Sequence, residues 1–183
     1  MPSKNATPAD NQQTTRKKIS DEYLAGFVDG EGCFYVGFSR RKDLPLGWQV
    51  LTEFRLSQNP GRLNLLEAFK KRVNCGYLKP NHAKNPKDRS WVLVIKNRRD
   101  LERKLIPFFK KHPLYSQKQQ EFIIFCKALK LIKKSKHLQK DGFHKIVELV
   151  FSIPRLTNKR YSKKILLSEV SETIRQTRQA AKN

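Results

Sequence analysis

Two carboxylates, Asp29 and Glu31, close the run Leu24-Ala25-Gly26-Phe27-Val28-Asp29-Gly30-Glu31-Gly32. The run reads as a short helix. Ser20 is a good N-cap, Asp21 and Glu22 suit the positive end of a helix dipole, and Tyr23, Leu24, Phe27 and Val28 supply an apolar side. Asp29 and Glu31 then stand at the negative pole, where carboxylates are unfavourable and cations are welcome. A hard divalent cation resolves that conflict. Mg²⁺ suits it best, because it takes oxygen ligands, keeps several waters and needs only one or two carboxylates together with phosphate oxygens. Spacing alone leaves a second reading open and favours it: a pair of solvated carboxylates or a helix cap.

Gly26 and Gly30 are four residues apart, so they share one helix face and leave a strip without side chains. Each costs about 1 kcal/mol against alanine in a helix interior. Two glycines at that spacing point to a second backbone packed hard against the strip. The plainer alternative is that Gly30 and Gly32 merely end the helix.

In order and type, Leu24 to Gly32 resembles the signature of the LAGLIDADG homing endonucleases, site-specific nucleases of mobile introns and inteins. The run departs from the family's name at Phe27, Val28, Gly30 and Glu31, all substitutions that the family pattern tolerates. The resemblance implies that the helix packs against a second copy of itself, with Leu24, Gly26, Phe27, Asp29 and Gly30 at the dimer interface. It also implies that Glu31 and the main-chain carbonyl of Gly30 hold a catalytic Mg²⁺, for which Mn²⁺ substitutes. Asp29 is then mainly a helix-end and interface residue. Carried over in the same way, Gln58 orients the attacking water, and Arg62 and Lys118 stabilise charge on the phosphate. Ser116 is a neighbouring place where some relatives put the basic group, and Lys118 is preferred to it.

Charge is consistent with such a substrate. Among 183 residues, 39 Lys and Arg face 16 Asp and Glu, a formal net charge of +23, and the pI is near 10.2. That excess points to a polyanion: DNA, RNA or an anionic membrane surface. Membrane is the weakest of the three, since no apolar stretch approaches the roughly 20 residues that span a bilayer and mean hydropathy is −0.69. Cys33, Cys75 and Cys126 are widely separated and read as reduced, buried thiols of an intracellular protein, organellar or from a bacterial or archaeal cytoplasm, and not secreted. His82, His112, His137 and His144 have no zinc-type spacing. Residues 1–18 are polar, end in Arg16-Lys17-Lys18 and are expected to be a disordered basic arm. Residues 19–183 are expected to form one domain, with extra C-terminal helices from about residue 116.

The elements that must position these residues follow from periodicity. Cys33 to Ser39 alternates, with Phe34, Val36 and Phe38 on one face; a basic loop follows, and Trp48 to Ser57 alternates again. Asn59-Pro60-Gly61 starts a helix ending near Asn74. Gly76 to Lys79 and Ser90 to Lys96 are extended, the second with Trp91, Leu93 and Ile95 inward. Asp100 is expected to cap the next helix, with Pro107 near its end. Further helices are expected from Ser116 to about Lys134, from about Gly142 to Ser152 with Pro154 stopping that helix, and from Ser162 to Ala180 with Ile165, Leu166, Val170 and Ile174 on one side. The fold class is α+β, in the order αββαββα, with four antiparallel strands and one polar sheet face; the homing-endonuclease core has the same order. The segment Thr157-Asn158-Lys159-Arg160-Tyr161 also resembles the family's C-terminal pattern.

On the open sheet face, Tyr35, Ser39, Arg40, Gln49, Arg55, Lys79, Asn81, Arg89 and Lys96 are placed to contact DNA. A two-stranded ribbon fits the major groove, where Arg reads guanine and Asn or Gln reads adenine. The motif occurs once in the chain, which predicts a homodimer with a two-fold axis through the paired helices and two acidic sites side by side. The leading expectation is therefore a homodimeric, Mg²⁺-dependent endonuclease cutting both strands of a long, near-palindromic double-stranded DNA site. An intron RNA maturase and a non-cutting DNA-binding regulator on the same fold are the alternatives. Glu31, Gln58 and Arg62 together argue for cutting.

Overall fold

The structure is a computed structural model that describes residues 19–85, 87–153, 156–157 and 160–180, without the side chains of residues 171, 174–178 and 180. The arm expected at residues 1–18 lies outside the described residues, as do Pro154, Asn158 and Lys159.

Helix α1 (Asp21–Glu31) begins where Ser20 accepts a hydrogen bond from the Tyr23 N–H at 3.1 Å. Gly32 ends it. A Cβ there would lie 2.5 Å from Val28 Cγ1 and 2.7 Å from the Val28 carbonyl oxygen, so the chain passes from helix to strand without a connecting loop only with glycine at this place. Strand β1 (Gly32–Arg40) pairs antiparallel with β2 (Trp48–Gln58), Gly32 opposite Leu56 and Arg40 opposite Trp48. A 3₁₀ turn, Pro60–Arg62, leads into α2 (Leu63–Val73), and Asn74 ends α2 in the left-handed region at φ 49°. Strands β3 (Tyr77–Pro80) and β4 (Trp91–Ile95) complete an antiparallel sheet in the order β1-β2-β4-β3. The fold is α+β, with the helix, two strands, helix, two strands, helix order that periodicity implied.

Three local expectations need correction. The helix after β4 starts at Arg98, because Asn97 Oδ1 accepts from the N–H groups of Arg99 at 2.9 Å and Asp100 at 3.2 Å; Asn97 is the cap and Asp100 is already inside. From α3 (Arg98–Asp100) the chain runs through a π-helical turn, Leu101–Leu105, into α4 (Ile106–Lys111). Pro107 therefore does not approach the end of the helix. It is the second residue of α4, directly after the π-helical turn. Second, β4 is buried on both faces: Val92 and Val94 are as enclosed as Leu93 and Ile95. Val94 lies between Arg55 and Tyr77, and Val92 between Ser57 and Lys79, so neighbouring strands cover both from the polar side.

The other sheet face carries the core. Phe34 lies at its centre with the rings of Phe54, Phe109, Phe122 and Phe125 at 5.3–5.6 Å between centroids. Burying each such side chain contributes about 1.5–3 kcal/mol. Helix α5 (Lys118–Lys133) packs on β1, and α6 (Lys140–Phe151) and α7 (Lys163–Ala180) follow in succession. Leu166 and Val170, four apart, face inward from α7. The third correction falls here: Ile165 is exposed, because it points one residue off that stripe. The Val36 N–H donates to the Leu156 carbonyl at 3.0 Å, which occupies part of the outer edge of β1. One hydrophobic cluster extends from Leu24 to Val170. At one end of the sheet this packing gathers the last turn of α1, the end of β2 and the start of β4, since Gln58 pairs with Trp91.

Candidate active site and nucleic-acid interface

The two acids at the foot of α1 have different surroundings. Asp29 accepts from the N–H of Tyr115 at 3.2 Å, the N–H of Ser116 at 3.0 Å and the Ser116 hydroxyl at 2.7 Å. These donors lie immediately before α5, so Asp29 exchanges the negative end of its own helix for the positive end of the next. Glu31 has no such relief. It is exposed, and among the described residues it takes part in no hydrogen bond or ion pair. The last turn of α1 also contains no basic residue.

Glu31 lines a cavity of about 260 Å³ with Ser57, Gln58, Asn59 and Ser90. Gln58 is held there by its own neighbour, its Oε1 accepting from the Asn59 N–H at 3.2 Å, which leaves the side-chain NH₂ as a free donor. Arg62 and Lys118 do not line this cavity. Arg62 is exposed at the end of the 3₁₀ turn. Lys118, the first residue of α5, directs its ammonium to the buried Glu121 carboxylate at 3.2 Å. Its side chain is nearly enclosed, and its charge is felt by the Cys33 thiol, which burial nonetheless pushes up. Among the described residues no group of three or more His, Cys, Asp and Glu side chains converges to hold a metal. One exposed carboxylate and the Gly30 carbonyl make a sparse, all-oxygen donor set. Such a set fits a hard ion that keeps waters and shares phosphate oxygens.

The strip on α1 is open. A Cβ built on Gly26 or Gly30 would meet nothing within 4 Å, so none of the described residues covers either glycine. Phe27 is half-buried against the core. Leu24 is not on the strip: it is fully buried inside this chain's own core, and its expected place at a dimer interface is corrected. The helical repeat explains the error, since Leu24 and Val28, four apart, form the inward stripe. Tyr23, counted above with the apolar side, is 56% exposed beside Gly26 and Gly30. Its spacing of three and seven residues from the two glycines was the available signal.

On the polar sheet face, Tyr35, Gln49, Leu51, Glu53, Arg55 and Lys96 line an open groove of about 630 Å³. Burial, reinforced by nearby Glu53, pushes the Tyr35 phenol above its ordinary range. Four of the expected contact residues, Tyr35, Gln49, Arg55 and Lys96, therefore come together. Ser39 and Arg40 lie at the far end of the hairpin. Arg40 is engaged there, paired with Glu169 of α7 at 2.5 Å and lying over the rings of Trp48 at 5.5 Å and Tyr161 at 5.9 Å. Lys79 and Arg89 are exposed at the opposite edge, and Asn81 bonds Ser90 through its side chain at 3.2 Å. Glu53 and Leu51 went unremarked as functional residues in the sequence, although strand alternation already set them on the same face as Gln49 and Arg55.

These features meet in one known pattern. The family described as LAGLIDADG endonuclease matches residues 24–129. This chain belongs to that family. A probable intron-encoded endonuclease of Neurospora crassa is 32% identical over 132 residues, 72% of this chain and 27% of the relative. The chain thus spans about a quarter of the length of such curated relatives. The crystal structure of the homing endonuclease I-TnaI matches with a TM-score of 0.71 and 35% identity, over 85% of this chain and 99% of that one. That of the LAGLIDADG homing endonuclease I-LtrWI, bound to target DNA, matches with a TM-score of 0.70 and 34% identity, over 79% of this chain but 46% of that one. The LAGLIDADG helix is α1, and its two glycines form the open strip. None of the described helices is long and apolar enough to cross a membrane.

Proposed function

We propose that this chain is a site-specific homing endonuclease that acts as a homodimer and hydrolyses both strands of a long, near-palindromic DNA site with Mg²⁺, or Mn²⁺ in its place. The observation that carries the reading is Glu31. It is an uncompensated carboxylate at the negative end of α1, sharing a cavity with the amide of Gln58, beside two glycines that none of the described residues covers. Pairing α1 with a second copy brings two such carboxylates together.

Glu31 and the Gly30 carbonyl would hold the ion, which supplies Lewis acidity at the phosphate and a more acidic water. Gln58 orients that water through its free NH₂. Arg62 and Lys118 act from farther out, as charges offsetting the phosphate, and the Glu121 carboxylate holds the Lys118 ammonium in place. Tyr35, Gln49, Arg55 and Lys96 read base edges from the groove, while Ser39, Lys79, Asn81, Arg89 and the basic side of α5 follow the backbone. Asp29, although on α1, serves chiefly to tie the helix to the start of α5. The protein acts inside the cell, in an organelle or a prokaryotic cytoplasm, where the genes of mobile introns lie.

The test is cleavage of DNA carrying the uninterrupted insertion site, with Mg²⁺, with Ca²⁺ and with Glu31→Gln. Double-strand cutting that needs both Mg²⁺ and Glu31 is expected. Tight binding without cutting in every condition would overturn the nuclease and favour a maturase or a DNA-binding regulator.

A further inference from the structure

Among the described residues, Glu53 is the only acid lining the groove on the polar sheet face. Its side chain is 8% exposed, whereas the two cations it meets, Arg55 and Lys96, are 51% and 54% exposed. Glu53 Oε1 accepts from Arg55 Nε, and Oε2 faces Lys96 Nζ at 3.1 Å. Strand register produces the cluster. Arg55 follows Glu53 by two residues and so shares its face, and Phe54 pairs with Ile95, which sets Lys96 beside Glu53. On the other flank Tyr35 pairs with Glu53, and the Arg55 guanidinium lies 5.9 Å over the Tyr35 ring. That ring in turn lies along the sheet over Gly37, where a Cβ would come within 2.1 Å of the phenol oxygen.

A carboxylate on a face that meets DNA is unfavourable unless its charge is hidden, and here two cations cover it. The bond it accepts uses the Nε edge of the guanidinium. Glu53 thereby leaves both Nη groups unengaged, the parallel pair of donors that O6 and N7 of guanine accept. An unrestrained arginine would lose rotamer entropy on adopting one such pose. Glu53 and the Tyr35 ring impose that order before DNA arrives. Resting on the DNA-binding reading above, we propose that Glu53 determines specificity by positioning: it holds Arg55 ready to read one guanine in each half-site, and fixes Lys96 beside it.

The test is selection from a random-sequence duplex DNA library by the full chain, in Ca²⁺ so that bound DNA is kept, with thermal midpoints measured in parallel. Wild type is expected to enrich a site with a guanine in each half that Arg55→Ala no longer prefers. Glu53→Gln, which removes the charge and one acceptor, is expected to lower the preference for that guanine about tenfold while leaving positions outside the reach of Arg55 and Lys96 unchanged. Glu53→Asp keeps the charge but withdraws it by one methylene, and is expected to give a smaller loss at the same position. An unchanged guanine preference in both Glu53 variants, or equal weakening at every position with a lowered midpoint, would overturn the proposal while leaving DNA recognition intact. No enrichment by wild type would overturn both.

Discussion

Asp29 and Glu31 are two residues apart on one helix end, yet opposite consequences are expected on removing them. Asp29→Ala deletes three hydrogen bonds, from two backbone N–H groups and one hydroxyl, that join α1 to the start of α5. Hydrogen bonds to a charged group contribute about 1.5–3 kcal/mol each when well buried. These are near the surface and share one carboxylate, so together about 2 kcal/mol is expected. For a chain of this size that lowers the thermal midpoint by about 4–8 °C. Glu31→Gln deletes no bond and removes a charge from the unfavourable pole of the helix, so the midpoint should stay level or rise by about 1–2 °C. The assay is thermal unfolding followed by circular dichroism in EDTA and again with Mg²⁺. Added Mg²⁺ should raise the midpoint of wild type and leave Glu31→Gln unmoved. If Asp29→Ala melts with wild type, or Glu31→Gln loses several degrees in EDTA, the division of the two acids into a tether and a ligand is wrong.

A Cβ at Gly26 would meet no described residue within 4 Å, so Gly26→Leu should leave the protein folded and sedimenting as a monomer; a dimer of unchanged affinity would refute the role given to α1. Arg40→Ala removes the surface ion pair that joins the hairpin to Glu169 of α7, together with ring contacts to Trp48 of the hairpin itself and to Tyr161 ahead of α7. A loss of about 1 kcal/mol is expected, seen as a midpoint lower by about 2–4 °C and faster amide exchange in α7. Burial pushes the Cys75 and Cys126 thiols from an ordinary 9.0 up to about 11. The unfolded chain releases those protons first as pH rises, so the stability they contribute is whole below pH 9 and falls between about 9 and 11. Urea midpoints at pH 8, 9.5 and 10.5 should decline less steeply in the Cys75→Ala, Cys126→Ala double variant than in wild type.

Much of this protein was legible in the linear chain because the relevant physics is local. Ser20 and the acids after it start a helix whatever surrounds them. Alternation from Phe34 to Phe38 and from Trp48 to Leu56 specifies strands with one apolar face, and the nine residues from Leu24 to Gly32 carry the family. What needed the third dimension were properties that depend on a partner distant in sequence. Leu24 and Tyr23 are both large and apolar, and only packing separated the one inside the core from the one left exposed at 56%. Arg40 and Arg55 are both strand arginines, and only the fold gave one to Glu169, 129 residues away, and the other to Glu53. Asp29 and Glu31 oppose the same dipole, and spacing could not rank them. The ranking comes from Ser116, 87 residues from Asp29, whose hydroxyl and N–H groups satisfy Asp29 and leave Glu31 uncompensated. Helix ends and strand faces are decided by neighbours in the chain; which charge is relieved and which remains to bind is decided by the donors that folding brings near it.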